Sequence, residues 1–122
     1  MLQEILDARG FDAFLRAEET ALLSVSCENT VIATGGSAVY SASAMEYLGK
    51  SSTVVYLQLP YPEIIRRLFN ITTRGIAIPA GEPMTDVYAE RVPLYEKYAD
   101  VILDCSGKTA EETVSALLPL LR

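Results

Sequence analysis

Three short apolar runs separated by helical segments constrain the fold of this chain more than any other feature. The runs cover residues 30–34, 53–57 and 101–105, and their β-branched residues are typical of buried parallel strands. Strands that alternate with helices predict an α/β fold, a parallel sheet with helices on its faces. Ligands of such sheets bind at the carboxyl ends of the strands, which here carry Gly35-Gly36, Leu59-Pro60 and the segment 105–107.

The segments between these runs have helical periodicity and clear end signals. Apolar spacing predicts helices over 2–9, 11–24, 41–49, 62–70 and 84–98, with Gly10 ending the first. Pro93 predicts a kink or a break in the fifth. A last helix should begin after Thr109, with Glu112 completing a capping box and Val114, Leu117, Leu118 and Leu121 forming its apolar face. Residues 70–83 hold two glycines and two prolines, which predicts a long mobile loop within one domain over residues 1–122.

Composition excludes several classes of protein. The chain has no histidine and two cysteines, Cys27 and Cys105, so a histidine-based triad, a zinc site and a disulfide framework are all excluded. A net charge of −6 argues against nucleic-acid and anionic-membrane binding, which need a positive field. No apolar run is long enough to span a bilayer, and the free thiols suit a reducing compartment, so we expect a cytoplasmic protein.

Gly35 and Gly36 are the first candidate site residues. Two adjacent glycines at a strand end let the backbone approach a ligand closely, although a tight strand-to-helix turn alone also favours glycine. Both interpretations remain open on this pattern. The spacing does not match a dinucleotide-binding fingerprint.

Arginines form the second candidate group. Four of the seven lie within residues 66–91, and Arg74 falls in the predicted loop, where it could close over a phosphate. The alternative is a set of solvated surface charges. The four are Arg66, Arg67, Arg74 and Arg91.

Carboxylates give a weaker signal. Asp104 follows a predicted strand and is the most suggestive, whereas Glu18 and Glu19 fit a solvated helix face. No Gly-x-x-x-x-Gly-Lys-Ser/Thr loop occurs, so the sequence offers no cradle for a triphosphate.

Taken in order, the motifs of this chain resemble those of the shikimate kinases, and the resemblance runs from about residue 2 to residue 121. The Ala-Thr-Gly-Gly and Arg-x-Pro-Leu-Tyr elements at this separation are fairly specific. The matching motifs are Phe14-x-x-x-Glu18, residues 31–39, residues 54–57, Arg67 with Arg74, residues 90–95 and Tyr98-Ala99-Asp100.

This resemblance implies a P-loop kinase-like parallel sheet, truncated at its N-terminus, with three strands retained. It also implies transfer of a phosphoryl group from ATP to the 3-hydroxyl of shikimate, with Mg²⁺, in aromatic amino acid biosynthesis. The loop over residues 70–83 would then be the lid. By the same resemblance, Gly35, Gly36 and Ser37 would line the acceptor pocket, and Arg91 would pair with the shikimate carboxylate. Arg74 would reach the ATP phosphates, and Arg67 would pack near the adenine.

Two positions depart from the family pattern on the acceptor side. The family has an arginine directly after the phenylalanine of Phe-x-x-x-Glu, where this chain has Leu15, and a third glycine where it has Ser37. Arg16 lies about 100° further round the helix from Leu15. Either Arg16 substitutes as a shikimate ligand, or the acceptor is another small hydroxy acid.

The resemblance begins after the first elements of the family, which are a strand, the phosphate-binding loop, a helix and a strand ending in Asp-x-Asp. The family's ligands for ATP and Mg²⁺ are therefore largely absent from this chain, and we expect negligible kinase activity from it alone. A missing strand between residues 30–34 and 53–57 would leave two open edges, which predicts a homodimer through those edges. A non-catalytic remnant that binds an acidic ligand or a protein partner is the remaining alternative.

Overall fold

The computed structural model describes the backbone of residues 2–68 and 83–121, with side chains from residue 10 onward. Arg74 and all but the last residue of the predicted lid lie outside these ranges. The elements in chain order are α1 (Leu2–Leu23), a 3₁₀ helix (Gly36–Tyr40), α2 (Ala42–Ser51), β1 (Val55–Gln58), α3 (Tyr61–Leu68), α4 (Met84–Tyr98), β2 (Val101–Asp104), α5 (Ala110–Leu117) and a second 3₁₀ helix (Leu118–Leu121).

Helix α1 contains the interruption predicted at Gly10. This glycine has φ 82° and ψ 175°, outside the helical region, and so divides α1 into two helical pieces. A positive φ of this size suits glycine because other residues meet a steric penalty there. The prediction of two successive helices is therefore confirmed, and the chain is kinked between them at Gly10.

The sheet is parallel, as predicted. Strands β1 and β2 pair in register from Val55 opposite Val101 to Gln58 opposite Asp104. The ladder is extended at both ends, since the Asp100 carboxylate accepts from the Val54 amide at 2.8 Å and the Cys105 amide donates to the Gln58 carbonyl at 2.9 Å. With helices on either side in sequence, these strands give the expected α/β architecture.

The third predicted strand is not formed in the described part of the chain. Residues 30–34 have no strand pairing there, and the Val31 side chain is 93% exposed. An extended segment becomes a strand only when a neighbour satisfies its backbone donors and acceptors, and the described residues provide no such neighbour. The sheet therefore has two strands here, not the three that were predicted.

Pro93 was predicted to kink or break this helix, and the break is wrong, because α4 runs through Pro93 as one helix. Proline removes the hydrogen bond to the carbonyl four residues earlier, which belongs to Ala89. Both Ala89 and Pro93 are exposed, so water can satisfy that carbonyl on the outer side of the helix. The buried face of α4 is left intact, with Val87 and Arg91 on it.

One core cluster joins three successive parts of the fold. It comprises Leu22, Ala38, Val39, Ala44, Met45 and Leu48, with Leu94, Tyr95 and Tyr98 of α4 packed against it. The segment between α1 and α2 is thus fixed by apolar contacts on both sides. We call this segment, residues 35–40, the glycine turn.

Helix α5 begins as predicted but packs less than predicted. Thr109 and Glu112 form the capping box, with the Glu112 amide 3.1 Å from the Thr109 hydroxyl. No residue of α5 is buried, and Val114 and Leu118 are each more than half exposed. Among the described residues, none of the helices combines the length and the apolar character needed to cross a membrane.

Candidate functional site

The glycine turn lies at the centre of the candidate site. Gly35 precedes the 3₁₀ helix in an extended conformation, and its carbonyl accepts from the Ala38 amide at 3.2 Å. Ser37, Ala38 and Val39 are buried, which anchors the turn in the core. Gly35 and Gly36 are exposed, so backbone rather than side chain meets solvent at this point.

Helix α4 approaches the turn closely at Gly36. A β-carbon added there would lie 2.8 Å from the Tyr95 hydroxyl oxygen and 3.2 Å from Arg91 Nη1. The Tyr95 hydroxyl donates a hydrogen bond of 2.8 Å to the Gly36 carbonyl. A side chain at position 36 would therefore force Tyr95 or the turn to shift, so the close approach of α4 favours glycine at this position.

Arg91 is a buried cation in this site, with 9% of its surface exposed. Its Nε donates to the Tyr40 hydroxyl at 3.2 Å, and its guanidinium carbon lies 5.2 Å from the centroid of the Tyr40 ring. Stacking and hydrogen bonding together fix the plane of the guanidinium. Arg91 is thus held in one orientation beside the Gly36 backbone.

Tyr95 connects the turn to the sheet. Its ring centroid lies 5.0 Å from that of Tyr56 on β1. Burial raises the pKa of the Tyr95 hydroxyl, while nearby Arg91 lowers that pKa in part. The hydroxyl therefore remains protonated at neutral pH and can donate to Gly36.

Helix α1 holds the other side of the turn through Glu18. The Ser37 hydroxyl donates to Glu18 Oε1 at 2.6 Å, and a β-carbon on Gly35 would lie 3.2 Å from Glu18 Oε2. The interpretation of Glu18 as a solvated carboxylate is wrong. Phe14 and Leu22 are buried one turn before and after it, so Glu18 lies on the packed face of α1.

Glu19 is likewise bonded rather than solvated. Its Oε2 accepts from the hydroxyls of Ser41 and Ser43, the latter at 3.1 Å. Ser41 is the N-cap of α2 and accepts from the Ala44 amide. Glu19 therefore connects α1 to the start of α2. Its hydrogen bonds are separate from the one between Glu18 and Ser37, although Ser41 follows the glycine turn directly in sequence.

A small pocket of about 110 Å³ lies between α1 and the glycine turn. Its lining includes Leu15 and Ser37, the two positions that depart from the family pattern, and Arg16, the arginine next to Leu15. Pockets that enclose a metabolite usually exceed about 300 Å³. The remaining lining residues are Glu18, Glu19, Leu22, Ala38, Tyr40 and Ser41.

Arg67 makes contacts with a different part of the fold. Its Nε donates to Glu63 at 3.1 Å and its Nη2 to the Lys108 carbonyl at 3.3 Å, beside the carboxyl end of β2. Asp104, at that strand end, accepts from the Ser106 amide at 2.9 Å. Hydrogen bonds from Ser106 lower the pKa of the Asp104 carboxyl, which stabilises the loop that follows β2.

The described residues do not fit a magnesium site. Across residues 10–68 and 83–121, no group of three or more acidic or cysteine side chains could hold a metal ion. The sequence also lacks the loop that cradles a triphosphate. We therefore derive no reaction step through Mg²⁺ or through the phosphates of ATP.

Comparison with known proteins identifies the class and then the family. The sequence profile of "Shikimate kinase" matches residues 1–122, and the α/β fold with its parallel strands is that of a P-loop kinase. Within that class, this chain belongs to the shikimate kinase family. Five of the six glycine-turn residues, 35–39, fall within the motifs that carry the resemblance.

Several bacterial relatives are similar over almost the whole chain. Shikimate kinase 2 of Enterobacter sp. (strain 638) is 30% identical over 99% of this chain and 72% of its own length. Shikimate kinase 2 of Yersinia enterocolitica is 33% identical over 97% of this chain and 70% of its length. The shikimate kinase of Francisella philomiragia is 29% identical over 96% of this chain and 69% of its length.

Tyr40 and the bonds of Glu18 were not found from sequence. No motif singles out Tyr40, whose hydroxyl and ring orient Arg91. The sequence does contain a signal for the position of Glu18 on the packed face of α1, because Glu18 lies four residues after Phe14 and four residues before Leu22.

Proposed function

We propose that this chain forms the acceptor-binding part of a shikimate kinase and does not transfer phosphate by itself. Members of the family phosphorylate shikimate with ATP. The observation that carries the proposal is the Arg91 guanidinium, buried beside Gly36 and oriented by Tyr40.

Arg91 suits a carboxylate because of its geometry. A guanidinium presents several donors in a rigid planar fork, which matches the two oxygens of a carboxylate. Tyr40 fixes that fork, so little side-chain entropy remains to be lost when an acid binds. Gly36 itself adds no side chain between the turn and Arg91.

The remaining role assignments are also proposals. Gly35, Gly36 and Ser37 would border the acceptor, with Arg16 as an additional cation at the adjoining pocket. Arg67 would contact the nucleotide base beside the loop that follows β2, and Arg74 would reach the ATP phosphates from the lid. Groups that bind the triphosphate and Mg²⁺ would come from outside the described residues.

Isothermal calorimetry of the chain with shikimate and with ATP tests this proposal. We expect shikimate to bind and ATP, with or without Mg²⁺, to give no detectable heat of binding, because the sequence has no loop that cradles a triphosphate and Arg67 and Arg74 alone would hold ATP weakly. The methyl ester of shikimate is the matched ligand control, since it lacks the charge that Arg91 would pair with. ATP binding, or phosphorylation of shikimate by the purified chain, would contradict the proposal.

A kinase of another small hydroxy acid is a second candidate. It is favoured by Leu15 and Ser37, which stand where the family has arginine and glycine and which line one pocket. Calorimetry with a series of cyclic hydroxy acids decides between the two, since tighter binding of another acid than of shikimate would favour this candidate. Binding of no acid would favour a non-catalytic remnant with a protein partner.

We further propose that the chain is cytoplasmic and pairs as a homodimer through strand edges. Residues 30–34 have no strand partner in the described part of the chain, and two free cysteines fit a reducing compartment.

Sedimentation equilibrium tests the dimer. We expect the wild-type chain to dimerise and Val31→Lys to shift it toward monomer, because a charge on an exposed edge opposes strand pairing. Val114→Lys places the same charge on the exposed surface of α5 and serves as the control. A monomeric wild type, or equal dissociation of both variants, would contradict edge pairing.

A further inference from the structure

The glycine turn is held from two sides by different helices. On one side Tyr95 of α4 donates to the Gly36 carbonyl at 2.8 Å. On the other side Glu18 of α1 accepts from the Ser37 hydroxyl at 2.6 Å, and its second carboxylate oxygen lies against Gly35. The two exposed glycines are therefore fixed by their neighbours rather than by side chains of their own.

From this arrangement we propose that Glu18 is a positioning residue, which acts through Ser37 to set the Gly35–Gly36 backbone beside Arg91. The inference rests on the proposed function, in which this turn borders the acceptor. Glu18 itself need not touch the acceptor for this role. Its partner Ser37 occupies the position where the family has a third glycine, which could not donate such a bond.

The chemistry of the Glu18–Ser37 bond favours a firm contact. A hydroxyl that donates to a carboxylate forms a charge-assisted bond, shorter and stronger than one between neutral groups. Ser37 is 4% exposed, so water competes little for its hydroxyl. Loss of Glu18 would leave the buried Ser37 hydroxyl without this bond, and loss of Ser37 would leave the half-buried Glu18 carboxylate without it.

The position of this bond explains why its loss should alter binding as well as stability. Ala38 and Val39 are anchored in the core immediately after Ser37, whereas Gly35 and Gly36 have the greatest backbone freedom in the turn. Without Glu18, the glycines can shift while Arg91 and Tyr40 keep their mutual contacts. The Gly36 backbone would then keep the Tyr95 bond but lose the support from α1, so its position beside Arg91 would be less closely fixed.

Shikimate calorimetry on four variants tests the inference, together with ¹⁵N-NMR of the Gly35 and Gly36 amides in the ligand-free chain. Glu18→Ala and Ser37→Ala should each weaken binding about tenfold, as expected for loss of one hydrogen bond to a charged group. The double variant should bind no more weakly than either single variant, because both remove the same bond. Glu18→Gln should bind within about threefold of wild type, since its amide oxygen still accepts from Ser37.

Glu112→Ala is the matched control. It also removes a glutamate whose carboxylate accepts a hydrogen bond, but that bond caps α5 and lies outside the glycine turn and its pocket. We expect it to lower the melting temperature while leaving the shikimate Kd and the Gly35 and Gly36 signals unchanged.

The outcomes separate this inference from the proposed function. If Glu18→Ala and Ser37→Ala lower stability but leave both Kd and the glycine amide signals as in wild type, the positioning role is overturned. Additive effects of the two substitutions would overturn it as well. If wild type binds no shikimate, the proposed function fails. In that case, Gly35 and Gly36 amide signals that shift in Glu18→Ala and in Ser37→Ala, but not in the control variant, still support the Glu18–Ser37 contact as the one that positions the turn.

Discussion

Replacing Arg91 by lysine should weaken shikimate binding ten- to a hundredfold. Lysine keeps the charge but lacks the planar fork, and it cannot both donate to Tyr40 from a guanidinium edge and stack on its ring. Hydrogen bonds to charged groups contribute about 1.5–3 kcal/mol, which corresponds to this range in affinity. Calorimetry with shikimate measures the effect directly.

Arg66→Lys is the control for Arg91→Lys. Arg66 is an exposed arginine on α3 whose ion pair is with Glu63, and such surface pairs contribute little. The Arg66 variant should bind shikimate as wild type does. Equal affinity of the Arg91 variant, the Arg66 variant and wild type would contradict the role proposed for Arg91.

Replacing Gly36 by alanine should abolish detectable shikimate binding and destabilise the fold by about 1–3 kcal/mol. The added methyl group would lie 2.8 Å from the Tyr95 hydroxyl oxygen, so Tyr95 or the turn must move. Movement of either breaks the 2.8 Å bond to the Gly36 carbonyl and displaces Arg91 from the backbone. Chemical denaturation and calorimetry measure the two effects separately.

Gly49→Ala provides the comparison for Gly36→Ala. Gly49 lies within α2, and a β-carbon there meets nothing within 4 Å. Alanine should stabilise α2 by about 0.5–1 kcal/mol, because glycine is the poorer helix former. Loss of binding in both variants would show that binding responds to glycine content in general and not to the close approach at Gly36.

The elements that sequence predicted well are those defined by local signals. Gly10 interrupts α1 because its lack of a β-carbon allows φ 82°, and Thr109 begins α5 because its hydroxyl is three residues from Glu112. Strands β1 and β2 were predicted from short β-branched runs, and the two strands pair with each other. In these cases the information needed lies within a few residues.

The elements that sequence predicted wrongly depend on distant groups. Residues 30–34 have the composition of a buried strand, but pairing needs a neighbour that the described residues do not supply. Pro93 was expected to kink or break α4, yet the helix continues through it, because its exposed position lets water replace the missing hydrogen bond. Neither outcome is encoded in the segment itself.

The candidate site was predicted in part for the same reason. Gly36 and Arg91 were identified from motifs, and the structure places them so close that a β-carbon on Gly36 would lie 3.2 Å from Arg91 Nη1. The roles of Tyr40 and Glu18 depend on the packing of α1 and α4 around the turn, which no spacing rule along the chain contains.

The contact between Tyr56 and Tyr95 has a consequence for any chain that docks on the sheet. The Tyr95 ring packs against Tyr56 of β1 and its hydroxyl bonds the Gly36 carbonyl, so one side chain contacts both the strand and the turn. A partner that orders Tyr56 would restrict Tyr95 and hence the glycines, and it would improve affinity for the acid. By thermodynamic reciprocity, the acid would then strengthen docking on the sheet by the same factor.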